Sequence, residues 1–461
     1  MASEEAPLLS NNKQNPKRTP LPTVQLGILL LLRLCEPMMS HSIYPYINQL
    51  ISELDITGGD KRKVGYYAGL IESLFFATQA TTVFKWSSAS DHVGRKPILL
   101  FGLIGGAMSM LLFGLSRTFW LLVLSRCLCG LLNGNVGVIR SVLGELTDTT
   151  NRAEGFALLP VVWAVGETIG PLIGGSLSRP HERFPDTFSG RFWRQYPYFL
   201  PCLAIASIIL VVFVVAVFFL KETVPRRRSA QEAADNIVSQ PVSEPVPLRK
   251  LLVYPILLSI SNYIALAFFE INLLALIPLF MAMPTSIGGM ESPPARIGYA
   301  LGSYGTFVCI YQTLFFAKIV RRFGERRVFI TSMSMIPLVF LLFPVMSMVS
   351  KNHGPTWIVW VLLATMLLLM SIMDMGFGCI SIYITTAAPS KRSLGATNGL
   401  SQTAVSVSRA VGPAMATSLF SLSVERNLLG GYLVYAILFS LSCLALPLAM
   451  RLPHQVWEEK D

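Results

Sequence analysis

Long apolar stretches separated by short polar ones dominate the chain. Runs of helix length fall at 24–50, 65–86, 97–116, 119–144, 155–177, 198–220, 251–281, 297–318, 328–349, 356–386, 396–424 and 430–451. About 20 predominantly apolar residues cross a bilayer as a helix, so the pattern predicts an all-α membrane protein with twelve transmembrane spans. The runs 24–50 and 356–386 are long enough to tilt or overshoot. Residues 1–23 and 452–461 read as tails. The first tail lacks the short apolar core and cleavage site of a secretory signal. Residues 221–250, rich in Arg, Ser, Pro, Gln and Glu, read as a polar linker between a six-span bundle at 24–220 and another at 251–451.

Composition supports this reading. Asp, Glu, Lys and Arg make up only 14% of the 461 residues, against about 25% in an average globular domain. That is too little charge to cover a water-facing surface, and it also excludes disorder. The seven cysteines all lie in apolar runs without a CxxC pair, which predicts reduced core residues and no metal site. The net charge of +11 comes from basic residues scattered between apolar runs, with no continuous nucleic-acid face. With both termini cytoplasmic, the inner segments and tails carry 22 Lys/Arg against 11 outside. The positive-inside rule favours that orientation. Segment 178–197 then lies outside, and Phe184, Phe188, Phe192, Trp193, Tyr196 and Tyr198 suit an interfacial aromatic belt.

The two halves echo each other. Gly94-Arg95-Lys96 after span 2 corresponds to Gly324-Glu325-Arg326 after span 8. Val165-Gly166-Glu167-Thr168-Ile169-Gly170-Pro171 in span 5 corresponds to Val407-Ser408-Arg409-Ala410-Val411-Gly412-Pro413 in span 11. Internal repeats of this kind mark secondary transporters whose substrate site lies between the halves.

Charge inside the spans is the sharpest chemical signal, since each such group costs about 2.5–3.5 kcal/mol at mid-bilayer unless paired or wet. Span 4 places Arg126, Gly130, Asn133, Gly137, Arg140 and Gly144 at steps of three and four, one stripe of a continuous helix. Span 1 does the same with Arg33, Glu36, Ser40 and Tyr44. Span 10 offers Ser371, Asp374, Gly378, Ser381 and Thr385; span 11 offers Asn398, Gln402 and Arg409. These stripes predict a central polar cavity. Five acids (Glu36, Glu72, Glu167, Glu270, Asp374) face four arginines, so one acid lacks a fixed cation. A carboxylate in a low-dielectric cavity suits a proton carrier. Glu72 and Glu270 are the first candidates and Asp374 the third, with Arg126 as modulator; each acid could equally be half of an ion pair. Arg33 and Glu36, three apart, read as a structural pair. Tyr44, Trp163, Tyr263 and Tyr304 with the surplus carboxylates suggest an amphipathic, cationic solute.

Three motifs resemble the major facilitator superfamily. Ser87-Ser88-Ala89-Ser90-Asp91-His92-Val93-Gly94-Arg95-Lys96-Pro97 is similar to its loop 2–3 signature, with Ser87 and His92 as departures. Arg126-Cys127-Leu128-Cys129-Gly130 resembles its RxxxG signature. Gly166-Glu167-Thr168-Ile169-Gly170-Pro171-Leu172-Ile173-Gly174-Gly175 matches GxxxGPxxGG of proton-coupled drug antiporters. More narrowly, Val64-Gly65-Tyr66-Tyr67-Ala68-Gly69, Asn133-Gly134-Asn135 and Glu145-Leu146-Thr147-Asp148 resemble the fungal and plant zinc-induced-facilitator-like branch. The resemblance implies two pseudo-symmetric six-helix bundles and alternating access. It also implies a cytoplasmic latch at Asp91, Gly94, Arg95 and Lys96, and tight helix contact at Gly166, Gly170, Pro171, Gly174 and Gly175.

The reading is a secondary active transporter, not an enzyme and without a cofactor, that exports a small organic solute by proton antiport. Proton symport or uniport of a nutrient or metal chelate remains an alternative, as does a non-transporting transceptor. The chain is expected to be a monomer in the plasma membrane or a vacuolar or endosomal membrane. Glu4, Leu8 and Leu9 fit an acidic dileucine signal for a sorting adaptor.

Overall fold

The computed structural model describes residues 19–148, 151–223, 252–388 and 394–457, without the side chains of 152, 153, 157 and 394–396. The dileucine at Glu4, Leu8 and Leu9 and nearly all of the linker lie outside the described residues.

Twelve long helices account for the apolar runs: α1 Thr23–His41, α2 Val64–Val93, α3 Arg95–Gly114, α4 Phe119–Leu146, α5 Arg152–Leu177, α6 Phe199–Phe219, α7 Tyr254–Ala282, α8 Pro294–Phe323, α9 Glu325–His353, α10 Trp357–Thr386, α11 Leu394–Glu425 and α12 Leu433–Met450. Ten of them are long and apolar enough to cross a membrane; α2 and α11, richer in Ser, Thr and Gly, are not among the ten. Two predicted spans need correction. The run 24–50 is α1 followed by a turn and a short helix, Ile47–Ser52, so Tyr44 sits in the turn and not on the α1 stripe. Helix α4 breaks at Asn133, whose φ −84° and ψ 65° end its first segment. Its six-residue stripe is therefore two pieces.

The pseudo-twofold relation appears in the packing. Within the first half α1 packs on α5 and α3 on α6; within the second, α7 packs on α11 and α9 on α12. Each pair maps onto the other by adding six. The halves meet chiefly through α2 with α11 and α5 with α8, which the same operation exchanges. Two turns repeat as well. Gly94 (φ 111°) and Gly324 (φ 81°) each end one helix and start the next without a spacer, in a backbone region that side chains disfavour.

Close backbone approach at small residues closes the end opposite the termini. A Cβ on Gly175 would lie 2.6 Å from the Pro294 carbonyl oxygen, and one on Gly298 would lie 2.9 Å from the Gly175 Cα. Gly65 and Gly69 on α2 meet Thr417 and Pro413 on α11 in the same manner. Cross-half hydrogen bonds add to the seal: Tyr66 donates to Glu425 (3.2 Å), Arg183 to the Tyr299 hydroxyl (2.5 Å), and the Ala414 backbone N–H to Ser73 (2.9 Å). The aromatic segment before α6 packs on itself. Trp193 makes edge contacts with Phe188 and Phe192, whereas Tyr198 leaves the group to stack on Tyr46 in the core.

Candidate functional site

Between the halves, Arg33, Arg140, Trp163, Gln402 and Arg409 are half-buried, not sealed. Toward the termini Ser381, Thr385 and Thr403 are exposed. A polar cleft therefore opens at the end bearing the termini and stops at the glycine-packed end.

The buried charges sort into clusters. Deep in the first half, Glu72 accepts from Arg126 (2.8 Å) and from the Tyr44 hydroxyl (2.9 Å), and the Arg126 guanidinium lies over the Phe75 ring at 4.6 Å. Arg126 is 2% exposed, so this pair is cut off from water. Glu36 pairs with Arg33, as expected from their spacing, and also accepts from Gln79 and Asn133, both at 3.2 Å. Glu167 accepts from the Trp163 indole N–H (2.7 Å) and lies 3.3 Å from His41 Nε2, joining α5 to α1. Within the second half, Glu270 on α7 accepts from Arg409 on α11 (3.1 Å). Asp374 on α10 accepts a 2.5 Å bond from the Tyr304 hydroxyl on α8, while its other oxygen is buried without a hydrogen-bond partner.

This pairing reorders the sequence-based candidates. Glu72 and Glu270 each hold an arginine, so the buried acids without one are Asp374 and Glu167. Arg140 is left without a carboxylate partner among the described residues. Its guanidinium faces Gln402, whose amide oxygen, turned toward it, accepts from Arg140 at 3.2 Å and from the Tyr263 hydroxyl at 3.0 Å. Ser381 stands apart; its hydroxyl returns to the Phe377 carbonyl.

The antiporter stretch is a docking surface. Gly166, Gly170 and Gly174 abut Pro37, Met38 and Ser42 at the end of α1, while Gly175 turns to α8. Helix α5 continues through Pro171. The loop signature is a charged knot. Arg95 bonds Asp91 (2.6 Å), Glu145 (2.8 Å) and Ser90 (2.5 Å), Lys96 reaches the Val217 carbonyl (2.7 Å), and Glu222 accepts from the free backbone N–H groups of Arg95 and Lys96 at the start of α3. All these contacts lie within the first bundle and the first residues of the linker. The partners held by Gln79, Glu145 and Glu222 were not legible: Gln79 is a single polar residue midway along α2, and Glu145 and Glu222 sit at or just past helix ends, where an acid reads as solvated until its partner is seen.

Residues 29–413 match the Major Facilitator Superfamily family model. The chain is 31% identical to the efflux pump azaK of Aspergillus niger, with 96% of this chain and 90% of that protein covered. It is 27% identical to the protein ZINC INDUCED FACILITATOR-LIKE 1 of Arabidopsis thaliana, over 89% of this chain and 86% of that one. A crystal structure of a bacterial homologue of the human lysosomal transporter Spinster, inward-facing and occupied, superposes with a TM-score of 0.64. Its identity is 16%, covering 94% of this chain and 95% of that one.

Proposed function

Since the chain belongs to the major facilitator superfamily and is a multi-pass membrane transporter, we propose that it exports a small organic solute by proton antiport with alternating access. The observation that carries this reading is the polar cleft, closed at one end by two equivalent helix pairs and holding buried acids without arginine partners. A buried carboxylate that neither pairs with a fixed cation nor reaches water is stabilised by taking up a proton. Asp374 is the proposed carrier, ahead of Glu72 and Glu270, with the Glu167–His41 pair beside the α1–α5 contact as a second relay. Arg126 then acts as a buried anchor for Glu72.

With cytoplasmic termini, the conformer is inward-open. Rocking the halves about the α2–α11 and α5–α8 contacts closes the cleft and opens the glycine-packed end. The Asp91–Arg95–Glu145 knot is proposed to present the first bundle's cytoplasmic latch. A plasma or vacuolar membrane fits this role.

The test starts from metabolite profiles of medium and vacuoles of cells with and without the protein. A solute identified there is then loaded into proteoliposomes under an imposed pH gradient. Efflux against inward proton flow is expected. Movement with protons would replace antiport by symport, and binding without flux would make the protein a sensor.

A further inference from the structure

Among the described residues, three guanidiniums crowd the open part of the cleft and two carboxylates pair with them. Arg33 lies 4.9 Å and Arg409 5.9 Å from the centre of the Trp163 ring. Arg140 has both arginines as repelling neighbours, and the carboxylate that attracts it at longer range, Glu36, is already bound to Arg33. Glu36 is committed to Arg33, Gln79 and Asn133, and Glu270 to Arg409. What faces Arg140 is neutral: the Gln402 amide and the Tyr263 hydroxyl, both from the second half. A half-buried cation with no carboxylate paired to it is costly in a bundle of this kind. The amide supplies only a dipole at 3.2 Å. The surplus acids that made the cleft look cation-selective do not change this local balance: Asp374 meets Tyr304 and Glu167 meets Trp163 and His41, and neither forms an ion pair with Arg140.

Resting on the export reading, we infer that the transported solute is an amphipathic organic anion whose carboxylate or phosphate is received by Arg140, with Tyr263 donating from the opposite half. A guanidinium presents parallel N–H groups that match either oxyanion. Gln402 yields its place because a neutral amide binds a cation more weakly than a charged acceptor does. Since Arg140 lies on α4, Tyr263 on α7 and Gln402 on α11, the anion ties the two bundles together at the open end. It thereby favours closing of that end once the solute is seated.

The experiment profiles cells carrying the full chain, Arg140→Gln, Arg140→Lys or no transporter, and assigns each protein-dependent exported solute its charge at cytosolic pH. Solutes bearing a carboxylate or phosphate are expected, and fragmentation mass spectra separate the two. Arg140→Gln should lower their export about tenfold or more and Arg140→Lys less, at equal amounts of monodisperse protein. Tyr263→Phe, expected to lower export several-fold, decides the matter if Arg140→Gln does not reach the membrane. Export confined to bases or neutral compounds, or undiminished export of the acid by the variant, overturns the inference while the export reading stands. No protein-dependent export of any solute sinks both.

Discussion

Tyr304 on α8 donates a 2.5 Å hydrogen bond to one oxygen of Asp374 on α10, and the second oxygen of that carboxylate is buried without a partner. The half-satisfied acid lies within the second bundle, where a proton is the smallest ligand that relieves it.

Asp374→Asn is therefore expected to abolish solute flux driven by a pH gradient while leaving solute–solute exchange without a gradient at a substantial fraction of wild type. Parallel flux measurements in proteoliposomes read both. Full pH-driven flux in the variant would remove Asp374 from the coupling step.

The Glu72–Arg126 pair predicts a stability effect. Glu72→Gln leaves a fully enclosed guanidinium unpaired, and breaking a buried pair costs about 3–5 kcal/mol. Thermal unfolding of the purified protein should show a large drop for Glu72→Gln and partial recovery when Arg126→Gln is added. A single variant as stable as wild type would contradict the pairing.

At the closed end, Gly298 faces Gly175 with no room for a side chain. Gly298→Val should disfavour closure by about 1–3 kcal/mol, roughly 5- to 150-fold in the conformer ratio. Spin labels at Lys61→Cys and Arg426→Cys, in the loops before α2 and after α11, should move apart. An unchanged distance distribution would show that this contact does not set the balance.

Asp91 and Glu145 both bond Arg95 but differ in exposure. The Asp91 side chain is 56% exposed and that of Glu145 33%. Asp91→Asn should cost under about 1 kcal/mol of stability, and Glu145→Gln more, since it also loses the 2.5 Å bond from Thr223. Chemical unfolding ranks them. Accessibility of thiol probes at the end bearing the termini that is altered by Asp91→Asn despite the small stability cost would place the residue in the gate.

Much of the architecture could be read from local pattern. Span number, the division into halves and the repeated Gly94 and Gly324 turns follow from run lengths and from glycine where a helix must reverse at once. The Arg33–Glu36 pair was legible because both residues lie on one turn of one helix. The break at Asn133 was not, since Asn133-Gly134-Asn135 sits in an otherwise periodic stretch and periodicity does not register a local unwinding.

What the amino-acid order determined by itself was which segments enter the bilayer and how many charges go with them, because length and apolarity are properties of a segment alone. Only the tertiary structure decided that Glu72 belongs to Arg126, Glu270 to Arg409 and Asp374 to Tyr304, and that Arg140 was left over. Helical spacing fixes the face a side chain occupies on its own helix, but the neighbour that face meets depends on how twelve helices rotate and cross against one another.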